Sequence, residues 1–384
     1  MKSSADFSRN NLDCLRLILA SIVALFHLHF LSNISTFECF GTYLSPSFAV
    51  RSFFVISGLL IYRSYTRSSS VKSYFEKRIR RIYPAYFTII VVVAFALFPL
   101  SAAPASRYFS FGLVRYLAAN LVFLNFLAPR LPGLFVHSVS SAVNGALWTL
   151  KIEVVFYLFI PVLHWLCERL GTKKVLWTFF ILSCMWKYGF QILWSMDSLP
   201  IRSRILYGEL AVQFPGQLAY FIAGIFLLLY FDKLKRYFGV ILAVTVALFL
   251  VDHFYTGKIF ASYTGKVFDS DTMLDLIWIS GVVFIFGFWR YFGNFSKYGD
   301  FSYGVYIVHW PILQTLVALH LNTRLNPFVF LALAVSVIGL AAFLMWHLVE
   351  KRFLATSSHY RVGDSGPAPR ARSHEEPRGL KASD

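Results

Sequence analysis

The stretch "LRLILASIVALFHLHF", residues 15–30, decides the fold, because it is apolar enough for lipid and yet carries Arg16 near one end and His27 and His29 near the other. A hydrocarbon layer of about 30 Å needs roughly 20 apolar residues of helix to cross it, and residues 14–32 supply that length. Working outward with windows of that size predicts nine further spans, near 44–62, 83–100, 146–166, 175–195, 210–230, 237–252, 273–289, 300–320 and 327–349. The composition agrees. The 384 residues are 57% hydrophobic and only 14% charged, with a mean hydropathy of +0.61, which fits a polytopic membrane protein and not a string of soluble domains. The first segment is too long for a cleaved signal peptide and is expected to stay attached.

An eleventh segment, residues 111–127 (FGLVRYLAANLVFLNFL), is short and carries Arg115, Asn120 and Asn125, so it reads as an interfacial or re-entrant helix. Counting basic residues by loop supports leaving it out. Ten spans place 25 of the 36 Lys and Arg residues on the side of the amino terminus and 8 on the other, whereas eleven would divide them 16 to 17. The expected architecture is therefore all-α and integral to the membrane, with about ten spans and both termini cytoplasmic.

The net charge of +17 follows from that topology and does not point to nucleic acid, since no basic stripe belongs to a soluble domain. No P-loop and no G-x-G-x-x-G motif is present, which argues against an ATP-driven pump. Cys14, Cys39, Cys167 and Cys184 lack the spacing of a zinc site, and no metal or permanently bound cofactor is expected. The chain divides into a transmembrane domain, 1–353, and a Pro-, Gly- and Ser-rich stretch, 354–384, expected to be a disordered cytoplasmic tail.

Charges placed inside a span cost several kcal/mol unless paired or wet, so the intramembrane polar residues direct attention to function. Arg16 and His27 are eleven positions apart, which brings them back to the same helix face about 16 Å apart along the axis. Arg51, Lys151 and Glu153 fall at a depth similar to His27, about 7 to 10 Å inside the outer boundary, and a shared polar chamber would hold all four. Lys151 and Glu153 point to opposite sides of their helix, leaving Glu153 to seek His27 or Arg51. Each residue alone also has an ordinary reading: a histidine can be a packing hydrogen bond, and Arg51 or Lys151 can snorkel.

Two further clusters stand out. In "YFEKRIRRIYPAYF", Arg78 and Arg81 lie three positions apart and project together, as a phosphate clamp requires, although basic residues there also orient the chain. Pro84 suits the first turn of the span that follows. In "FSYGVYIVHWPILQ", His309 falls near the midplane with Tyr303 and Tyr306 on the inner half. His309 reads equally as a second functional group or as a bond between helices.

These stretches together resemble the acyltransferase-3 family of integral membrane acyltransferases, which includes bacterial O-antigen, exopolysaccharide and Nod-factor O-acetyltransferases. The resemblance is carried, in order, by Arg16-x10-His27, "FFVISGLLI" (53–61), Arg78-x-x-Arg81 with "IYP", "LWTLKIEVVFYL" (147–158), "SYGVYIVHWPI" (302–312) and "EKRF" (350–353). Arg51 stands where many members have an acidic residue, and "EKRF" replaces the commoner "EKPF".

The resemblance implies a multi-pass protein of the bacterial inner membrane. It also implies transfer of an acyl group, usually acetyl from acetyl-CoA, to a hydroxyl of an extracytoplasmic carbohydrate or lipid-linked glycan. The resemblance marks His27 as the essential histidine, and imidazole chemistry makes it the expected general base, oriented by Glu153, with an acyl-histidine relay as the open alternative. Arg16, Arg78 and Arg81 would bind the acyl-CoA donor, and Arg51, Ser57, Lys151, Tyr303 and His309 would line the acceptor chamber. The rival reading is a transporter whose midplane histidines and Glu153 relay protons.

Overall fold

The computed structural model describes residue 7 and residues 9–256, 273–293 and 295–354, so the expected tail lies outside the described residues save for Leu354. Among the described residues the chain is helical throughout and contains no strand. Its twelve longer helices are α1 (Leu12–Ser32), α2 (Pro46–Thr66), α3 (Val71–Ala96), α4 (Phe111–Leu121), α5 (Trp148–Leu170) and α6 (Thr172–Ser195) in the first half. They continue as α7 (Ile201–Ala211), α8 (Phe214–Leu229), α9 (Phe238–Thr256), α10 (Met273–Phe288), α11 (Phe301–Ala318) and α12 (Pro327–Leu344).

Each of the ten predicted segments falls on one of these helices. Five helical stretches are long and apolar enough to cross a membrane unaided: Leu12–Ser32, Val71–Ala96, Gly145–Leu170, Ile201–Leu229 and Pro327–Phe353. A sixth forms if Ser35–Tyr43 and Pro46–Thr66, bent by 41°, count as one span. The protein is thus a multi-pass membrane protein.

Local sequence explains where the helices begin and end. The Ser45 hydroxyl accepts the Phe48 N–H at the start of α2, where Pro46 occupies the first turn, and Ser70 does the same for Ser73 in α3. Asn33, in the left-handed conformation (φ 52°), closes α1. Asn11, 1% exposed, ties the start of α1 to the end of α10: its amide donates to the carbonyls of Phe286 and Arg290, and its oxygen accepts from the Phe292 N–H.

Pro84 does not open a helix, as the sequence suggested, but lies inside α3. The basic stretch 77–81 is continuous with the apolar half of the same helix, which carries Arg78 and Arg81 into the protein. Helix α4 has only 11 residues, about 16 Å of helix, too short to cross. Its Asn120 is buried, bonding the Tyr116 and Ala128 carbonyls and accepting the Tyr86 hydroxyl on its own carbonyl. The polar residue that argued against a span is the anchor of the turn.

Helix α2 packs most extensively on α8, and α1 on α11. Glycine sets the first contact. A Cβ at Gly58 would stand 1.9 Å from the Phe221 carbonyl oxygen, and one at Gly224 would stand 2.0 Å from that of Val55, so both helices touch backbone to backbone. Pro161 cannot donate to the Tyr157 carbonyl four residues earlier, and the Tyr74 hydroxyl takes that place at 3.3 Å. After α12 the chain makes a π-helical turn, Met345–Glu350, which ends at a buried Glu350.

Candidate active site

Helices α1 and α11 together carry most of the site. His27 on α1 meets His309 on α11, with Nδ1 of the first 2.9 Å from Nε2 of the second and the rings 5° from parallel. His309 is fully buried. Its own Nδ1 lies 3.1 Å from the Val305 carbonyl, which can only accept, so the proton of His309 is on Nδ1 and its Nε2 is an acceptor. His27 must then donate from Nδ1, which leaves the lone pair on its Nε2. No group among the described residues bonds that nitrogen, and His27 is only half-buried. The Trp310 ring stands edge-on to His27 at 4.7 Å.

At the other end of α1 the chemistry is ionic. Arg16 donates to Asp300, the N-cap of α11, at 2.6 Å, and Arg81 on α3 donates to the same carboxylate oxygen. The second nitrogen of Arg81 reaches Glu350 at 3.0 Å. Ser302 fills the remaining Asp300 oxygen through its N–H (3.1 Å) and hydroxyl (2.5 Å). Two guanidiniums and two buried carboxylates thus join α1, α3, α11 and the π-helical turn. A buried carboxylate so placed is tolerable because it is both paired and hydrogen-bonded.

Beside this network lies a cavity of about 530 Å³. Seven basic residues line it: Arg16, Arg63, Arg67, Lys77, Arg78, Arg80 and Arg81, against the single acid Glu153. Arg78 is the least committed of the predicted clamp: its Nη2 makes a long 3.3 Å bond to Ser64, and its buried Nε has no partner. Deeper in, the walls are Ser57, Phe53, Thr149, Tyr303 and Tyr306. The hydroxyls of Thr149 and Tyr306 are 2.6 Å apart, and the Tyr306 ring lies 5.9 Å from that of His309. The basic cavity therefore ends against the aromatic neighbour of the histidine pair.

The sequence-derived site divides accordingly. Arg16, Ser57, Arg78, Arg81, Glu153 and Tyr303 line one cavity, and His27 and His309 are bonded to each other. The single chamber expected for His27, Arg51, Lys151 and Glu153 is not formed. Arg51 pairs with Asp275 on α10 at 2.8 Å, and Lys151 donates to Gln213 at 2.8 Å. Glu153 accepts the Tyr157 hydroxyl at 2.5 Å, so the group that orients His27 is His309 in its place.

Arg51 and Lys151 find partners on other segments of the chain, which spacing within one span cannot reveal, whereas Glu153 bonds Tyr157 one turn along its own helix. Asp300, Glu350, Asp275 and Tyr157 were missed. Asp300 had a signal, because an Asp two residues before Ser302 at the head of an apolar run is an N-cap pattern.

A family model described as an acyltransferase domain matches residues 9–346. An "O-acetyl transferase" of Shigella phage Sf6 is 31% identical over 356 residues, covering 91% of this chain and 97% of that protein. "Nodulation protein 10" of Rhizobium leguminosarum bv. viciae is 36% identical over 163 residues, 40% of this chain and 44% of that protein. No solved structure matches the chain. With nearly the whole membrane domain matched and the helices arranged as described, the chain belongs to the acyltransferase-3 family of membrane acyltransferases.

Proposed function

We propose that the protein is an O-acetyltransferase of the bacterial inner membrane, with ten spans and both termini in the cytoplasm. It takes acetyl from acetyl-CoA at the cytoplasmic side and passes it to a hydroxyl of an extracytoplasmic glycan or lipid-linked glycan. The observation that carries this reading is the histidine pair, whose bonding leaves Nε2 of His27 with its lone pair, close to the deep end of a strongly basic cavity.

Basic residues at the mouth, Arg78, Arg63, Arg67 and Lys77, suit the phosphates of coenzyme A. The apolar and aromatic depth suits the pantetheine arm. Arg81 is already bonded on two sides, so its part is to hold the helices that shape the cavity.

In the transfer step, Nε2 of His27 removes the proton from the acceptor hydroxyl as its oxygen attacks the thioester carbonyl. The new carbon–oxygen bond forms, the carbon–sulfur bond breaks, and the imidazolium returns the proton to the departing thiolate, giving the ester and free coenzyme A. His309 keeps the tautomer correct and stabilises the charge on His27 through the shared proton. Glu153 lies on the donor side and positions Tyr157.

The test is incubation of membranes containing the protein with acetyl-labelled coenzyme A, followed by identification of the labelled envelope molecule. Label enters a glycan with the native protein, and His27→Ala at equal abundance transfers it on the order of 10² to 10⁴-fold more slowly. Activity of His27→Ala within a few-fold of native would overturn the base assignment. Proton-coupled uptake without any covalent product would favour a transporter.

A further inference from the structure

Pro311 sits within α11, one turn beyond Ile307, and lacks the N–H that would normally close the bond to the Ile307 carbonyl. An orphaned carbonyl at this depth needs a donor from elsewhere. Asn144, in the segment that leads into α5, supplies it: its Nδ2 donates to the Ile307 oxygen at 2.8 Å. The same side chain uses its oxygen to accept the Ala146 N–H at 3.2 Å, capping the turn before α5.

Two side chains of α11 make three more hydrogen bonds to the same segment. Trp310 Nε1 donates to the Ala142 carbonyl at 3.1 Å, and Gln314 Nε2 to the Ser140 and Ala142 carbonyls at 2.5 and 3.2 Å. Gly145 lies so close to the Trp310 ring that a Cβ there would stand 2.5 Å from it. The turn gripped in this way, Ile307 to Pro311, is the one that holds His309 against His27 and Trp310 edge-on to His27.

We infer that Asn144 is a positioning residue for the transfer reaction: it replaces the backbone bond that Pro311 forfeits and so fixes the turn carrying His309 and Trp310. The inference rests on the reading of His27 as the base. It also explains how a proline is tolerated two residues from His309, since the carbonyl it leaves unpaired is bonded by a side chain from the turn that leads into α5.

Asn144→Asp isolates the contact, because it keeps an oxygen for the Ala146 N–H and has no N–H to give Ile307; Asn144→Ala removes both. Each is prepared in the native background and with Pro311→Ala, which restores the missing N–H to α11. With purified full-length protein in lipid nanodiscs, both Asn144 variants lower kcat by about tenfold in the native background with the donor KM unchanged. They also displace the pH dependence of kcat, which a loss of folded protein alone would not do.

In the Pro311→Ala background the same changes cost no more than about twofold, because the backbone then closes the bond itself. Thermal unfolding of the same proteins shows the matching coupling. Equal losses in both backgrounds, or no loss in the native one, would overturn the inference. An active His27→Ala protein sinks the base assignment instead, so the two failures are read in different variants.

Discussion

The two ends of α1 solve opposite problems. At the Arg16 end, two arginines and two carboxylates meet and their charges cancel within the protein, before any ligand arrives. At the His27 end there is no ion pair among the described residues, only a chain of hydrogen bonds from His27 through His309 to the Val305 carbonyl. With both guanidiniums already bonded to carboxylates, the Arg16 end has little positive charge left to offer a substrate. A hydrogen-bond chain that ends in an open lone pair supplies the proton acceptor that the proposed transfer step uses. The contrast also separates two arginines that look equivalent in sequence: Arg81 is consumed by the network, whereas Arg78, one turn away, keeps most of its donors for a ligand.

The largest effect should come from breaking the ionic end. Asp300→Asn keeps the shape and the cap to Ser302 but leaves Arg16 and Arg81 facing a neutral group, and a buried pair broken on one side costs about 3 to 5 kcal/mol. Thermal unfolding in detergent should show a pronounced loss of stability together with loss of activity, and a melting temperature equal to native would mean that the network is not what fixes these helices. Next comes the neutral end. His309→Ala frees the His27 ring, and kcat should fall by about 10²-fold, with the donor KM held. His309→Gln, whose side-chain oxygen can accept from His27, should recover part of the loss. If the Gln and Ala proteins are equally slow, His309 does more than orient its partner.

The smallest effect separates the two arginines. Arg78→Ala removes a charge-assisted bond to the donor, worth about 1.5 to 3 kcal/mol, and should raise the donor KM by roughly tenfold or more with the protein's stability preserved. Arg81→Ala should behave as Asp300→Asn does. A reversal of these two outcomes would make Arg81 the clamp and return the network to a supporting part.

Much of the fold could be read from the sequence because hydropathy over roughly 20 residues is a local property. The ten apolar segments, the short helix from Phe111 and the shared face of Arg16 and His27 all follow from local periodicity. Partners do not. Arg16 meets Asp300 across 284 positions and Arg51 meets Asp275 across 224, and nothing in the spacing within α1 or α2 encodes either distance. Glu153 was assigned to His27 because both had been placed at one depth, yet depth says nothing of azimuth. His309 was visible as a midplane histidine, but its bond to His27 depends on how α1 packs against α11. Pro84 was misread because the span was started at residue 83, after the arginines, when the polar and apolar halves form one helix.

The reciprocal approach of Gly58 and Gly224 has a mechanical consequence. With no side chain between the backbones at these two points, α2 and α8 have little room to slide past one another, so they behave as one stiff unit. Any breathing that opens a path to the imidazole must hinge elsewhere, about α1, α11 and the segments that brace them.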